Sequence, residues 1–175
     1  MSQMGYVIGE EARDKALLQY FEEWKFKHPN PNDLLRVFEK VSGLELDWYN
    51  EYFVYTTKSI DYAIKSVLKE GEETKITLER DGKMPMPMDV VITYKDGTKE
   101  VHYAALRMMR GEKKAETDDK RIVHPDWPWT HPTYEFSVSR SIEDIASIEI
   151  DPSGRMADTN RENNKWEAET IETNK

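Results

Sequence analysis

The chain contains no cysteine, which excludes disulfides, thiolate nucleophiles and cysteine-ligated zinc. A cysteine-free chain suits oxidising and reducing surroundings alike, so its compartment stays open. No apolar run approaches the ~18 residues of a membrane-spanning helix. The stretch MSQMGYVIGEEARDK lacks the basic flank and apolar core of a signal peptide. Positive charge is in deficit: 25 Lys and Arg face 34 Asp and Glu, for a net charge of −9. The cations are interleaved with acids, as in KEGEETK and GEKKAETDDKR. Nucleic acid needs clustered cations to displace its counterions and is not an expected partner.

Catalytic patterns are scarce too. The four histidines, at positions 28, 102, 124 and 131, include no HExxH pair, the spacing that puts two zinc ligands on one helix face. No GxSxG turn presents a serine nucleophile, and no glycine-rich loop cradles a phosphate. DPSGRMADTN fails as a calcium loop because Arg155 stands where an oxygen ligand belongs. The carboxylate pairs Glu10/Glu11, Glu22/Glu23 and Asp118/Asp119 read as solvated surface. No catalytic or metal-binding residue is assigned to this chain, and no cofactor is expected in it.

At 175 residues the chain suits one compact domain or two small ones. Residues 1–57 read as a helical segment. Glu10 and Glu11 open a helix whose apolar face is Leu17, Leu18, Phe21 and Trp24, with Tyr20 beside it; Pro29 stops it. Asn30, Pro31 and Asp33 restart it as cap, first position and first-turn charge. Leu34, Leu35, Val37, Phe38 and Val41 form the next buried stripe, and Gly43 supplies a left-handed stop. LELDWYNEYFVY reads as a third helix, with Leu46, Trp48, Tyr49, Tyr52 and Phe53 as its apolar material.

From about Thr56 the period falls from 3.6 to 2. DYAIKSVLK, ETKITLER, MDVVITYK, TKEVHYAALR, TYEFSVS and IASIEID read as strands, and Asp96-Gly97 as a two-residue hairpin turn. Such strands over 58–152, without intervening helices, predict an antiparallel, immunoglobulin-like β-sandwich, so the fold class expected is α+β. Gly111 to Arg121 reads as a charged loop. Residues 153–175 are polar and are expected to be extended or disordered.

HPDWPWTHPTYEF, residues 124–136, is the stretch most able to grip a ligand. Its prolines stiffen the backbone. Trp127 and Trp129 can stack on a sugar or peptide, or they can cover the sandwich end or dock it onto the helices; packing is the favoured reading. His124 and His131 can contact the same ligand or, in principle, share a metal, although two loop histidines is the plainer account. The methionines of MPMPMD at 84–89 are expected to plug a junction.

Several of these residues together resemble the C-terminal part of the zinc aminopeptidases of the aminopeptidase N family. The resemblance begins with Tyr20-Phe21, Trp24-Lys25-Phe26-Lys27-His28-Pro29, Asp33, Gly43-Leu44 and Asp47-Trp48-Tyr49. It continues through RDGKMPMPMDVVITYKDGTKE and from Ile150-Asp151-Pro152 to Asn160-Arg161-Glu162-Asn163-Asn164. In order, these motifs cover about residues 4 to 166, and the likeness is closest to bacterial members. The family's HExxH, its downstream zinc-binding glutamate, its amine-binding signature and its transition-state tyrosine lie before this region, and none maps onto this sequence. SQMGYVIGEE resembles the middle of a family segment.

The resemblance therefore implies a non-catalytic segment, inactive alone, that braces or shapes an upstream catalytic domain of the same polypeptide. Zinc would belong to that domain. It also implies a periplasmic or secreted parent, since such bacterial members are often exported. Helices this aromatic should bury against more than a three-helix unit offers, so apolar helical surface is expected to be exposed or covered by a second copy in a homodimer. The rival reading is a stand-alone binding module that holds a glycan or peptide with Trp127 and Trp129.

Overall fold

The computed structural model describes residues 1–168. Four helices precede eight strands, so the chain is α+β. The helices are α1 (Ser2–Ile8), α2 (Glu10–Trp24), α3 (Pro31–Ser42) and α4 (Asp47–Tyr49), which runs on as a π turn over Asn50–Val54. The strands are β1 (Tyr62–Glu70), β2 (Glu73–Arg80), β3 (Met88–Tyr94), β4 (Lys99–Leu106), β5 (Lys120–Trp127), β6 (Thr133–Val138), β7 (Ile145–Ile150) and β8 (Lys165–Glu167). One cluster of buried apolar side chains runs from Met4 of α1 to Ile150 of β7 and on to Met156, joining helices and sheets in a common core.

Local sequence accounts for α3. The Asn30 side chain accepts from the backbone N–H groups of Asn32 and Asp33, while Asp33 accepts from the N–H of Asn30, a reciprocal cap that satisfies donors the helix cannot. Gly43, at φ 72°, ends the helix as expected. Leu35, Val37 and Phe38 are buried, with Leu34 and Val41 partly so.

Elsewhere the helical expectations need correction. α1, within the expected helical segment but not singled out as a helix, is buried from Gln3 to Ile8; only Gln3 among its buried side chains is strongly polar, so it gives little periodic signal. The expected face of α2 is turned: Ala16 is its one buried residue, Leu17, Tyr20 and Trp24 are half-covered, and Leu18 and Phe21 point into water. The helix also ends at Trp24, well before Pro29, with Phe26 at φ 65°. The third expected helix is a single α turn plus the π turn, and its Phe53 is exposed.

The strands form two sheets, ordered β1-β2-β6 and β5-β4-β3-β7-β8. Every pairing is antiparallel except β4 with β5, which is parallel. That corrects the wholly antiparallel expectation. The cause is the connection over 107–119, about as long as a parallel crossover requires. The expected charged loop is thus a strap returning to the start of β4, and β5 begins at Lys120. β5 includes Pro125, which an edge strand tolerates because its outward N–H needs no partner. Register slips there: Ala104 faces His124 but Leu106 faces Trp127, leaving one extra residue on β5.

The β3–β4 turn holds three residues between paired Tyr94 and Thr98, not two, with Gly97 at φ 85° making the positive-φ step. Gly82 is fixed by space. A Cβ there would lie 2.4 Å from the Asp61 nitrogen, because this loop runs directly against 59–61. The three methionines of the MPMPMD stretch are buried. Around them the Tyr6 hydroxyl donates to the Pro87 carbonyl and accepts from the Asp89 N–H, so the stretch lies where α1 meets the sheets.

The tail is also a correction. Residues 153–168 are docked, because their polar groups bond protein backbone instead of water. The Asp151 carboxylate accepts from the Met156 N–H, Asp158 accepts from the Tyr62 N–H, and Thr159 donates to the Ile60 carbonyl. A 3₁₀ turn over Arg161–Asn164 then leads into β8, which pairs with β7. The expectation for 169–175 lies outside the described residues.

Candidate functional site

The strand end and turn at 124–131 are built for packing. Trp127, the last residue of β5, is 2% exposed. Its indole N–H donates to the His131 carbonyl at 2.9 Å; Tyr134 stacks on it at 5.2 Å and Tyr62 meets it edge-on at 5.5 Å. No face of Trp127 is left for a ligand. Trp129 is half-buried, with the Arg80 guanidinium 4.2 Å over its ring and Tyr52 of the π turn 5.5 Å away. Lys58 lies over the other aromatic of this ladder, Tyr52, at 4.4 Å. Trp129 therefore docks the sheets onto the helical segment, one of the packing roles open from sequence. His131 is exposed and contributes its backbone.

His124 turns away from His131. Its Nε2 lies 2.8 Å from Nδ1 of His102, the imidazoles stack, and Phe136 of β6 packs against both. His102 continues to Glu100 at 3.3 Å; the Tyr94 hydroxyl donates to the same carboxylate oxygen, and Lys120 to the other. Burial holds the His102 ring down at about 4, reinforced by His124 and opposed by Glu100. Burial also lowers His124. Burial works to raise Glu100, but hydrogen bonds from Lys120, Tyr94 and His102 outweigh it and leave the carboxyl below its ordinary value.

The second polar centre fastens the strap. Lys113, 4% exposed, gives its three N–H donors to the Tyr6 carbonyl, Asp89 and Glu116 at 3.0, 2.5 and 2.8 Å. Arg155 grips both oxygens of Glu116 at 3.0 and 2.9 Å. Beside this knot lies a cavity of about 310 Å³ between the start of α2, the end of α3 and the strap. Its charges are of both signs (Glu10, Glu11, Lys15, Lys113, Glu116), and Glu116 already accepts from the Glu10 N–H. The site therefore reads as a joint.

Among the described residues, no three His, Cys, Asp or Glu side chains are grouped so as to hold a metal. The donor set does not fit zinc, and no chemical step through a metal is derived for this chain. No described helix is long and apolar enough to cross a membrane. Comparison with protein-family models and with curated proteins finds no match to this chain.

Two buried polar atoms, Arg80 Nε and the Tyr103 hydroxyl, lack a partner, but the larger unsatisfied surface is apolar. α2 carries Leu17, Leu18, Tyr20, Phe21 and Trp24 on one broad apolar arc, with charged residues on the rest of its surface. The rest of the chain covers one side only, leaving Leu18 71% and Phe21 61% exposed. Phe26 beyond the helix end is exposed, as are Phe53, Val54 and Tyr55 at the π turn. Large apolar side chains gathered in water mark contact surface.

Proposed function

We propose that this chain is a non-catalytic brace: the end of the helical domain, and the β-sandwich, of a zinc metallopeptidase similar to aminopeptidase N. Its partner is the upstream catalytic domain of the same polypeptide, which carries the zinc and performs the peptide cleavage. The observation that carries the reading is the edge of the apolar arc of α2, Leu18 and Phe21, which the rest of the chain leaves in water. The ordered motifs from Tyr20 to Asn164 support the choice of partner. On this reading the two sheets correspond to the family's sandwich, and Trp129 locks that sandwich to the helices that meet the catalytic domain.

The test is to produce the chain alone and together with the polypeptide encoded before it. Alone, it should release no amino acid from aminoacyl-amide substrates; together, the two should co-elute, and Phe21→Glu should separate them while leaving the chain's own circular dichroism unchanged. Turnover by the chain alone, or an upstream polypeptide without HExxH, would overturn the reading. The rival binding module is tested by a glycan array: binding lost in Trp129→Ala would favour it. A stable homodimer through α2 would replace the catalytic domain by a second copy.

A further inference from the structure

Two imidazoles share one hydrogen bond in the gap between the sheets, and the strand that carries one of them has a neighbour on one side only. From this arrangement we propose that His102 and His124 form an acid-operated latch on edge strand β5, which holds with one proton added and releases with two.

The hydrogen-bond chemistry sets the order. In the neutral pair, His124 Nε2–H donates to His102 Nδ1 across 2.8 Å, and His102 Nε2–H faces Glu100. A first proton is accommodated. It takes Nδ1 of half-exposed His124, which becomes imidazolium and still donates from Nε2 to His102 Nδ1, while His102 keeps its Nε2–H toward Glu100. A second proton, on Nδ1 of buried His102, removes the last acceptor and sets N–H against N–H at 2.8 Å. The charges point the same way. Two imidazoliums and Lys120 then surround the single carboxylate of Glu100.

No other charge is placed to compensate. From β3 the pair's network is faced by Tyr94, over which Arg140 sits at 4.1 Å, already bound to Asp96. From β6 it is faced by Phe136 and Tyr134, both uncharged. Asp126 of β5 is exposed beyond the strand's bulge.

β5 is the element able to give way. It lies at the sheet edge, pairs only with β4, and is already interrupted at Pro125. β4 is held between β3 and β5. Burial of both rings keeps the latch closed near neutrality.

Hydrogen exchange on the full chain tests this, with protection factors corrected for the intrinsic pH dependence of exchange. Between about pH 7 and about pH 4, amides of 120–127 should lose about tenfold or more in protection while β2 and β3 do not. His124→Gln keeps a donor for His102 Nδ1 but cannot titrate, and should abolish the selective loss. In the unaltered chain, ring-proton NMR shifts give a second readout, in which the loss must track the second of two histidine protonations. Uniform loss across all strands, loss undiminished in His124→Gln, or loss while His102 is still neutral would each overturn the latch.

Discussion

In the sheets, charge that leaves water is met by opposite charge or by donors: Lys113 by Asp89 and Glu116, Glu100 by Lys120, Tyr94 and His102. In the helical segment the reverse imbalance stands, with apolar side chains of α2 and the π turn left in water. The sheets leave Leu68 and Val123 open, whereas the helical segment leaves Leu18, Phe21, Phe26, Phe53, Val54 and Tyr55 open. A folded chain lowers its free energy by covering such surface, and the proposed contact with the catalytic domain would do so at the open face. The joint between the two regions is covered on both sides, by Tyr6, Lys113, Tyr52 and Trp129.

Breaking that joint should have the largest effect. Lys113→Ala leaves buried Asp89 without its cation and Glu116 with Arg155 alone, and removes the strap's bond to the Tyr6 carbonyl of α1. Removing one partner of a buried charge pair costs about 3–5 kcal/mol. The unfolding free energy from urea titration should fall by that amount, whereas the same change at exposed Lys114 should do almost nothing.

Acid separates the regions next. His102 is neutral in the folded chain, with its ring near 4 against an ordinary 6.5. Between those values the unfolded chain binds more protons, so the contribution of His102 to stability is complete above about 6.5 and is lost as pH falls toward 4. A shift of that size corresponds to roughly 3 kcal/mol. Unfolding free energy should fall by about this amount from neutral pH to about pH 4, and His102→Gln should flatten the curve over that interval. The helical segment holds no buried histidine, so any acid loss there must come through the shared core.

Legibility in the sequence followed the range of the interactions. α3 was legible because its start and stop are written locally, in Asn30, Pro31, Asp33 and Gly43. α1 was not, because a helix buried all round has no polar face to mark its period. β5 was hidden by Pro125, which reads as a breaker until the strand is known to sit at an edge. The same parallel pairing created the His102–His124 contact: with Ala104 opposite His124, residues 22 apart in sequence become diagonal neighbours. The available signal was Glu100 and His102, two apart in an alternating strand and so on one face. For 153–168, composition suggested solvation, but the partners of those polar groups are the backbone at Ile60 and Tyr62. The candidate tryptophans were legible as packing or binding, and only tertiary contact with Tyr62, Tyr134, Arg80 and Tyr52 showed where each ring is spent.

The smallest expected change in stability is the most informative. Phe38→Ala, in the buried stripe of α3, should cost about 3–5 kcal/mol, while Phe21→Ala on α2 should move stability by less than about 0.5 kcal/mol. Both are phenylalanines on neighbouring helices, so the difference isolates covering from residue type. If Phe21→Ala costs nearly as much as Phe38→Ala, the outer face of α2 is already covered in solution. A second copy would be the cover, and the melting temperature would then rise with protein concentration. If the cost stays small and concentration has no effect, Phe21 contributes nothing to the isolated fold, and its ring is free for the contact the proposed brace requires.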